Sequence, residues 1–177
     1  MVSLLLIGSG AREVAIARKI KESSSSTLLY CVASTTNPQI KNLSELYFEQ
    51  SPSEISSVLE SIQNLAIDLA IIGPENPLEA GLVDALEKVG IPCVGPKKGV
   101  AKIETSKAFA RNILDHCSPE MNPERKEFFS IDGVEDFLQH LNGEYVIKYD
   151  GLMGGKGVKI SGEHLHSIEE SLAYASS

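Results

Sequence analysis

Apolar residues fall along this chain in short runs separated by amphipathic stretches. "SLLLIG" (3–8) and "TLLYCVA" (27–33) are near-continuous apolar runs of strand length, the pattern of strands covered on both faces. Between them, "AREVAIARKIKE" (11–22) places Val14, Ala15, Ala17 and Ile20 at helical spacing, so the segment reads as a β-α-β unit. "SPSEISSVLESIQN" (51–64) predicts another helix. Ser51 stands as its N-cap, Pro52 at the first helical position, and Glu54 three residues after the cap completes a capping box. "IDLAIIG" (67–73) predicts a third strand, "LEAGLVDALEKVG" (78–90) a helix ended by Gly90, and "IPCVG" (91–95) a short fourth strand. Strands alternating with helices predict an α/β fold built on a Rossmann-like parallel sheet. In such sheets ligands bind beyond the carboxyl ends of the strands, where "GSGARE", "GPENP" and "GPKKG" fall.

The pattern then changes. "PKKGVAKIETSKAFARNILDHC" (96–117) reads as helical material leaving the sheet, and "SPEMNPERKE" (118–127) as a proline-rich polar linker. Beyond it come strand "EFFS" (127–130), helix "DGVEDFLQHL" (132–141) with Asp132 and Glu135 as a capping pair, and strand "EYVIKYD" (144–150). A glycine loop, strand "VKIS" (158–161) and a helix from Ser167 follow. The expected organisation is a sheet domain over 1–100, a connecting helix and linker over 101–122, and a second, α+β unit over 123–177. This second sheet shows no closing half, so the chain reads as the front of a longer protein.

Charge and composition narrow the functional classes. With 42% hydrophobic and 23% charged residues the chain has the composition of a globular protein. A net charge of -8 and a pI near 5.0 argue against a general surface for nucleic acid or acidic lipid, so any phosphate site must be local. "VSLLLI" has no basic lead and no cleavage pattern, which argues against a signal peptide or membrane span and for a cytoplasmic protein. Cys31, Cys93 and Cys117 form no C-x-x-C pair and read as reduced thiols. His116, His140, His164 and His166 lack ligand spacing, and no metal site is assigned to them.

Four stretches carry candidate chemistry. "GSGARE" begins like a dinucleotide fingerprint but has Glu13 where the third glycine belongs. Its plain reading is a tight strand-to-helix turn. Its functional reading has Gly8 and Gly10 exposing N–H groups, with Arg12, a cation at the positive end of a helix, reaching a phosphate there. "GPENPL" (73–78) is either a proline-stiffened strand exit or a place where Glu75 and Asn76 meet the hydroxyls or amine of a sugar. "YDGLMGGKGVKI" (149–160) puts four glycines and Lys156 between two strands, as a plain hairpin or as a mobile loop over phosphates. It is no Walker A loop, since Gly157 leads into a strand at Val158. Alternation gives Lys148 the face of Val146, an awkward place for an ammonium unless an anion meets it. Lys107, in the first turn of the helix after Thr105, repeats the oddity of Arg12 or is simply solvated.

Taken together and in this order, "GSGARE", "GPENPL", "GPKKGVAKIETSKAF" and "VIKYDGLMGGKGV" resemble the phosphoribosylamine-glycine ligases, ATP-grasp enzymes of purine biosynthesis, over nearly the whole chain. The resemblance implies a pre-ATP-grasp domain, a connecting helix and the start of an ATP-grasp domain. It implies that glycine is activated by ATP as an acyl phosphate, that 5-phosphoribosylamine displaces phosphate, and that Mg2+ assists with ligands beyond Ser177. Carried over residue by residue, it assigns Gly8, Gly10, Arg12, Glu13, Gly73, Pro74 and Glu75 to phosphoribosylamine. Lys107, Lys148 and the loop Gly154, Gly155, Lys156 and Gly157 go to ATP. Ala11 stands where the family commonly has Gly, Val14 where it has His, and "TTNPQ" (35–39) where many members have a PGN segment; Asn37 and Pro38 are candidates there. The implied partners are small molecules, and this chain alone is expected to be inactive. Two other readings stand beside it: another ATP-grasp ligase or carboxylase, and a non-catalytic sugar-phosphate or nucleotide binding module.

Overall fold

Leucines and isoleucines that alternate between two covered faces set the first architecture. In the computed structural model, which describes residues 1–176, β1 (Val2–Ile7) lies at the centre of a five-stranded parallel sheet. It is flanked by β2 (Thr27–Ala33) and β4 (Leu69–Ile72), with β3 (Leu46–Glu49) and β5 (Cys93–Val94) at the edges. The order is β3-β2-β1-β4-β5. Leu5 pairs with Tyr30 on one side and Ala70 on the other.

On one face Leu5, Ile7 and Val32 pack with Val58 and Ile62 of α3 (Ile55–Ile62) and with Leu82, Val83 and Leu86 of α5 (Leu82–Lys88). On the other, Leu6, Leu29 and Cys31 pack with Ala17 of α1 (Ala11–Lys21) and Ile40 of α2 (Pro38–Lys41). Both faces are therefore dry, which is why β1 and β2 read as continuous apolar runs.

Two compact units divide between Lys102 and Ile103, within α6 (Lys98–Thr105). The second contains α7 (Lys107–Cys117), a 3-10 turn (Pro119–Met121), α8 (Val134–His140) and α9 (Ile168–Ala175). Its strands β6 (Val146–Lys148) and β7 (Val158–Ile160) form an antiparallel pair. Val134 and Leu138 of α8 pack on Tyr145 and Leu165, with Ile168 and Leu172 of α9 beside them. The Tyr145 hydroxyl meets Ser171 Oγ at 2.7 Å, so these two buried hydroxyls satisfy each other.

Several expectations are corrected. The helix expected over 78–90 is two helices, α4 (Glu75–Ala80) and α5, broken where Gly81 turns left-handed at φ +100°. The Ser51 capping box does not form: Ser51 spends its carbonyl on a turn closed by the Glu54 N–H at 3.1 Å, and α3 begins at Ile55. Asp132 does not cap α8 either. Its carboxylate accepts from Ser130 Oγ at 3.0 Å, and Gly133, left-handed at φ +75°, starts the helix. "EFFS" is not a strand, because β6 and β7 pair only with each other; Phe128 packs on Phe137 while Phe129 is 99% exposed. Lys148 and Val146 do share a face, but that face is exposed and the inward residues are Tyr145 and Ile147. Lys148 is therefore solvated and needs no anion to offset burial.

Candidate functional site

Strand order reverses between β1 and β4, and the loops leaving their carboxyl ends part there, which makes a crevice at the position where open α/β sheets bind ligands. Gly10, Ala11, Arg12 and Glu13 from the first loop and Pro74 and Glu75 from the second line a cleft of about 280 Å³.

Glu13 shapes this cleft from beneath. The residue is only 5% exposed, and Oε2 accepts the Gly10 backbone N–H at 2.6 Å, so a carboxylate satisfies a donor left open at the start of α1. The glycines make room for it: a Cβ on Gly73 would lie 2.0 Å from Glu13 Oε1, and one on Gly10 2.8 Å from Oε2. Gly8 is left-handed at φ +112° and lies against Glu13 and Pro74.

Arg12 reaches sideways across the crevice rather than over the helix end. Its Nη1 donates to the Gly73 carbonyl at 2.5 Å, and Nη2 lies 3.6 Å from Glu75 Oε1. The guanidinium side chain remains 64% exposed. The cleft thus carries a cation and a carboxylate side by side, open to solvent, with a buried carboxylate below. Asn76, also expected at this rim, is exposed.

Asn37 holds the neighbouring loop. It caps α2 by accepting the Gln39 N–H at 3.0 Å, and its Nδ2 donates to the Ser9 carbonyl at 2.8 Å. Tyr47 donates its hydroxyl to the Thr35 carbonyl at 2.7 Å and accepts the Asn37 N–H at 3.1 Å. Ser9 and Thr35 hydroxyls meet at 3.1 Å. Asn37 and Pro38 therefore border the glycine turn, whereas Tyr47, Thr35 and Ser9 are supports that sequence reasoning missed; β3, which carries Tyr47, is too short to stand out. The third expected loop contributes no lining residue, and its Lys97 pairs with Glu87 at 2.7 Å.

In the second unit Lys107 is the first residue of α7, after the N-cap Ser106. Its Nζ donates to the Gly151 carbonyl at 2.8 Å. Gly154, Gly155, Lys156 and Gly157 lie in the hairpin between β6 and β7, closed by the Tyr149 N–H on the Gly157 carbonyl at 2.9 Å. Gly154 and Gly155 are left-handed, at φ +55° and +79°. Lys148 and Lys156 are exposed. Lys107 is thus drawn to the root of the hairpin, and Lys148 stands on its first strand.

Among the described residues no group of three or more His, Cys, Asp or Glu side chains gathers as a metal site would require. Burial pushes the Cys31 thiol up to about 12, which leaves it protonated at neutral pH and unfit as a nucleophile.

Comparison with known proteins identifies the first unit. Residues 2–104 match the family described as phosphoribosylglycinamide synthetase, N domain. The chain belongs to that family. A phosphoribosylamine-glycine ligase of Methanosarcina barkeri is 42% identical over 175 residues, covering 99% of this chain and 40% of the relative. The Methanocella arvoryzae ligase is 39% identical over 176 residues, covering 99% and 40%. The chain thus spans about 40% of the length of the curated relatives it matches.

Two solved structures share the fold. Phosphoribosylglycinamide synthetase from Anaerococcus prevotii has a TM-score of 0.63 at 15% identity, over 97% of this chain and 40% of that one. N5-carboxyaminoimidazole synthetase from Staphylococcus aureus, complexed with ADP, has 0.75 at 12%, over 98% and 44%. No helix among the described residues is long and apolar enough to cross a membrane.

Proposed function

We propose that this chain is the N-terminal part of a cytoplasmic phosphoribosylamine-glycine ligase. The reaction joins glycine to 5-phosphoribosylamine at the expense of ATP in purine biosynthesis. A glycine carboxylate oxygen takes the γ-phosphoryl group and ADP leaves. The amine nitrogen of phosphoribosylamine then attacks the acyl carbon, phosphate departs with the C–O bonding pair, and the nitrogen loses a proton as the amide forms.

The observation that carries this reading is the cleft between β1 and β4, on a sheet of the matching family, with a guanidinium and a carboxylate adjacent at 3.6 Å. A ligand with a phosphate at one end and hydroxyls and an amine at the other complements that pair. Arg12 would meet the phosphate as a forked donor and Glu75 would accept from the hydroxyls or the amine. Gly8, Gly10, Gly73 and Pro74 would form the wall, Glu13 its floor, and Asn37 and Pro38 the adjoining edge. In the second unit Lys107, Lys148 and the hairpin Gly154, Gly155, Lys156 and Gly157 would hold the phosphates of ATP. Positioning and charge neutralisation make up most of phosphoryl-transfer catalysis, which suits lysines and backbone donors. The described residues offer no set of carboxylates for Mg2+.

The test is ADP release by a form of the chain continued to the length of its relatives, with ATP, glycine and phosphoribosylamine omitted in turn. All three are expected to be required, and the 177-residue chain alone is expected to release none. Release that needs bicarbonate instead of glycine would assign the chain to a carboxylase. Sugar-phosphate binding with no turnover in the continued form would make it a binding module.

A further inference from the structure

One carboxylate fastens the root of the glycine hairpin to the start of α7. Asp150 follows β6 by two residues. Its Oδ1 accepts the backbone N–H of Lys107 at 2.5 Å and of Ala108 at 3.2 Å, and its Oδ2 accepts the Ser106 hydroxyl at 2.8 Å. Ser106 Oγ in turn accepts the Phe109 N–H at 3.1 Å, so one hydroxyl caps the helix and binds the carboxylate at once. The return contact runs the other way: Lys107 Nζ donates to the Gly151 carbonyl at 2.8 Å. Gly151, left-handed at φ +90°, then turns the chain into the hairpin. Asp150 and Gly151 are thus clasped to Ser106, Lys107 and Ala108 in both directions.

The charge on Asp150 is maintained. Burial alone would raise its carboxyl, but the donors from Ser106, Ala108, Lys107 and Gly151 outweigh burial and hold it below its ordinary value. A helix N-terminus of this kind would attract a free anion. Here the protein's own carboxylate fills it, so an incoming phosphate is left to the lysine side chains and the hairpin.

We propose that Asp150 is a positioning residue for the nucleotide, holding Lys107 and the hairpin that begins at Gly151 in one fixed arrangement before ATP arrives. This rests on the ATP reading given above. A clasp that only stabilised the fold would change the amount of active protein; a clasp that pre-sets a binding loop changes the affinity of one substrate among three.

Two measurements on Asp150→Ala and Asp150→Asn test it. In the 177-residue chain without nucleotide, hydrogen exchange is expected to quicken at Lys107, Ala108 and residues 151–157 while α8 and α9 keep wild-type rates. In the continued form, the Michaelis constant for ATP is expected to rise at least about tenfold in Asp150→Ala, as Lys107 and the hairpin lose their pre-set arrangement. Asp150→Asn, which keeps an acceptor and loses the charge, is expected to fall between. The constants for glycine and phosphoribosylamine should stay near wild type. Asp132→Asn, whose carboxylate bonds the Ser130 hydroxyl and not the hairpin, serves as the control that moves neither readout. Unchanged exchange at Lys107 and Ala108 would overturn the clasp. Quickened exchange with an unchanged constant for ATP would overturn its role in nucleotide positioning. If the wild-type continued form uses no ATP, the underlying reading fails, and the exchange arm still decides the clasp.

Discussion

Replacing Gly73 by alanine puts the new methyl where Glu13 already is. A Cβ at this position would lie 2.0 Å from Oε1, 2.6 Å from Cδ and 2.8 Å from Cγ of Glu13. The carboxylate must withdraw and give up the Gly10 N–H it holds at 2.6 Å, at a cost of about 1.5 to 3 kcal/mol for a hydrogen bond to a charged group. Residual overpacking adds about 1 kcal/mol or more. Gly73→Ala is therefore expected to destabilise the sheet unit by about 3 kcal/mol, and Glu13→Ala by about 2 kcal/mol through the lost bond.

The two losses should not add. With Glu13 gone, the obstructing atoms are gone, and Gly73 is not among the left-handed glycines, so alanine there is nearly neutral. A coupling of about 3 kcal/mol follows, at the upper end of the range for side chains in contact. Gly8→Ala is the contrast: its φ of +112° and its approach to Pro74 Cδ at 2.9 Å persist without Glu13, so Glu13→Ala should rescue it little. Because the chain has two units, the assay is native-state hydrogen exchange of β1 and β4 amides rather than a single melting curve. Additive losses in the Gly73 and Glu13 cycle would refute the account of Glu13 as the group these glycines accommodate.

Thiol chemistry should follow burial. Cys117, exposed, should react first with an alkylating reagent; Cys93, pushed up to about 11 by burial, should lag; and Cys31, at about 12, should react only on unfolding. Mass spectrometry of the labelled chain gives the order, and early labelling of Cys31 would contradict the packing of β2. Because Cys31 is raised from 9.0 in the folded state, its contribution to stability is full below pH 9 and is lost as pH rises towards 12. Asp150 has the opposite sign. Its carboxyl is lowered from 3.8, so the clasp contributes fully above about pH 4 and is lost as pH falls below that. Exchange at Lys107 and Ala108, corrected for intrinsic pH dependence, should lose protection in that acid range in the wild type and not in Asp150→Asn.

What could be read from the sequence follows from how local each signal is. β1 and β2 are covered on both faces, so their burial is written in consecutive residues. β3 escaped notice because "LYFE" is four residues at a sheet edge, with Leu46 44% exposed. The capping residues Ser51 and Asp132 were legible as polar residues before helices. Ser51 gives its backbone carbonyl to a turn ahead of α3, and the Asp132 carboxylate bonds the Ser130 hydroxyl instead of a helix N–H. Arg12 was legible as misplaced, and the structure answers with a carbonyl and a carboxylate 61 and 63 positions away. Glu13 stood in a candidate motif, yet only the three-dimensional approach of Gly73 shows that it points inward. Asp150 clasps residues more than forty positions earlier, and no pattern in a single sequence marks such a pair.

On the proposed function, the crevice between β1 and β4 takes the sugar phosphate while the second unit takes ATP. The most direct measurement is the set of Michaelis constants of Arg12→Ala in the continued form. Loss of a charge-assisted contact of about 1.5 to 3 kcal/mol predicts a rise of roughly 10- to 150-fold for phosphoribosylamine, with the constants for ATP and glycine near wild type. Stability should fall only slightly, since the Arg12 side chain is 64% exposed and exposed ion pairs contribute little. A lowered stability with an unchanged constant for phosphoribosylamine would make Arg12 a strut between Gly73 and Glu75, and would contradict the placement of the sugar phosphate.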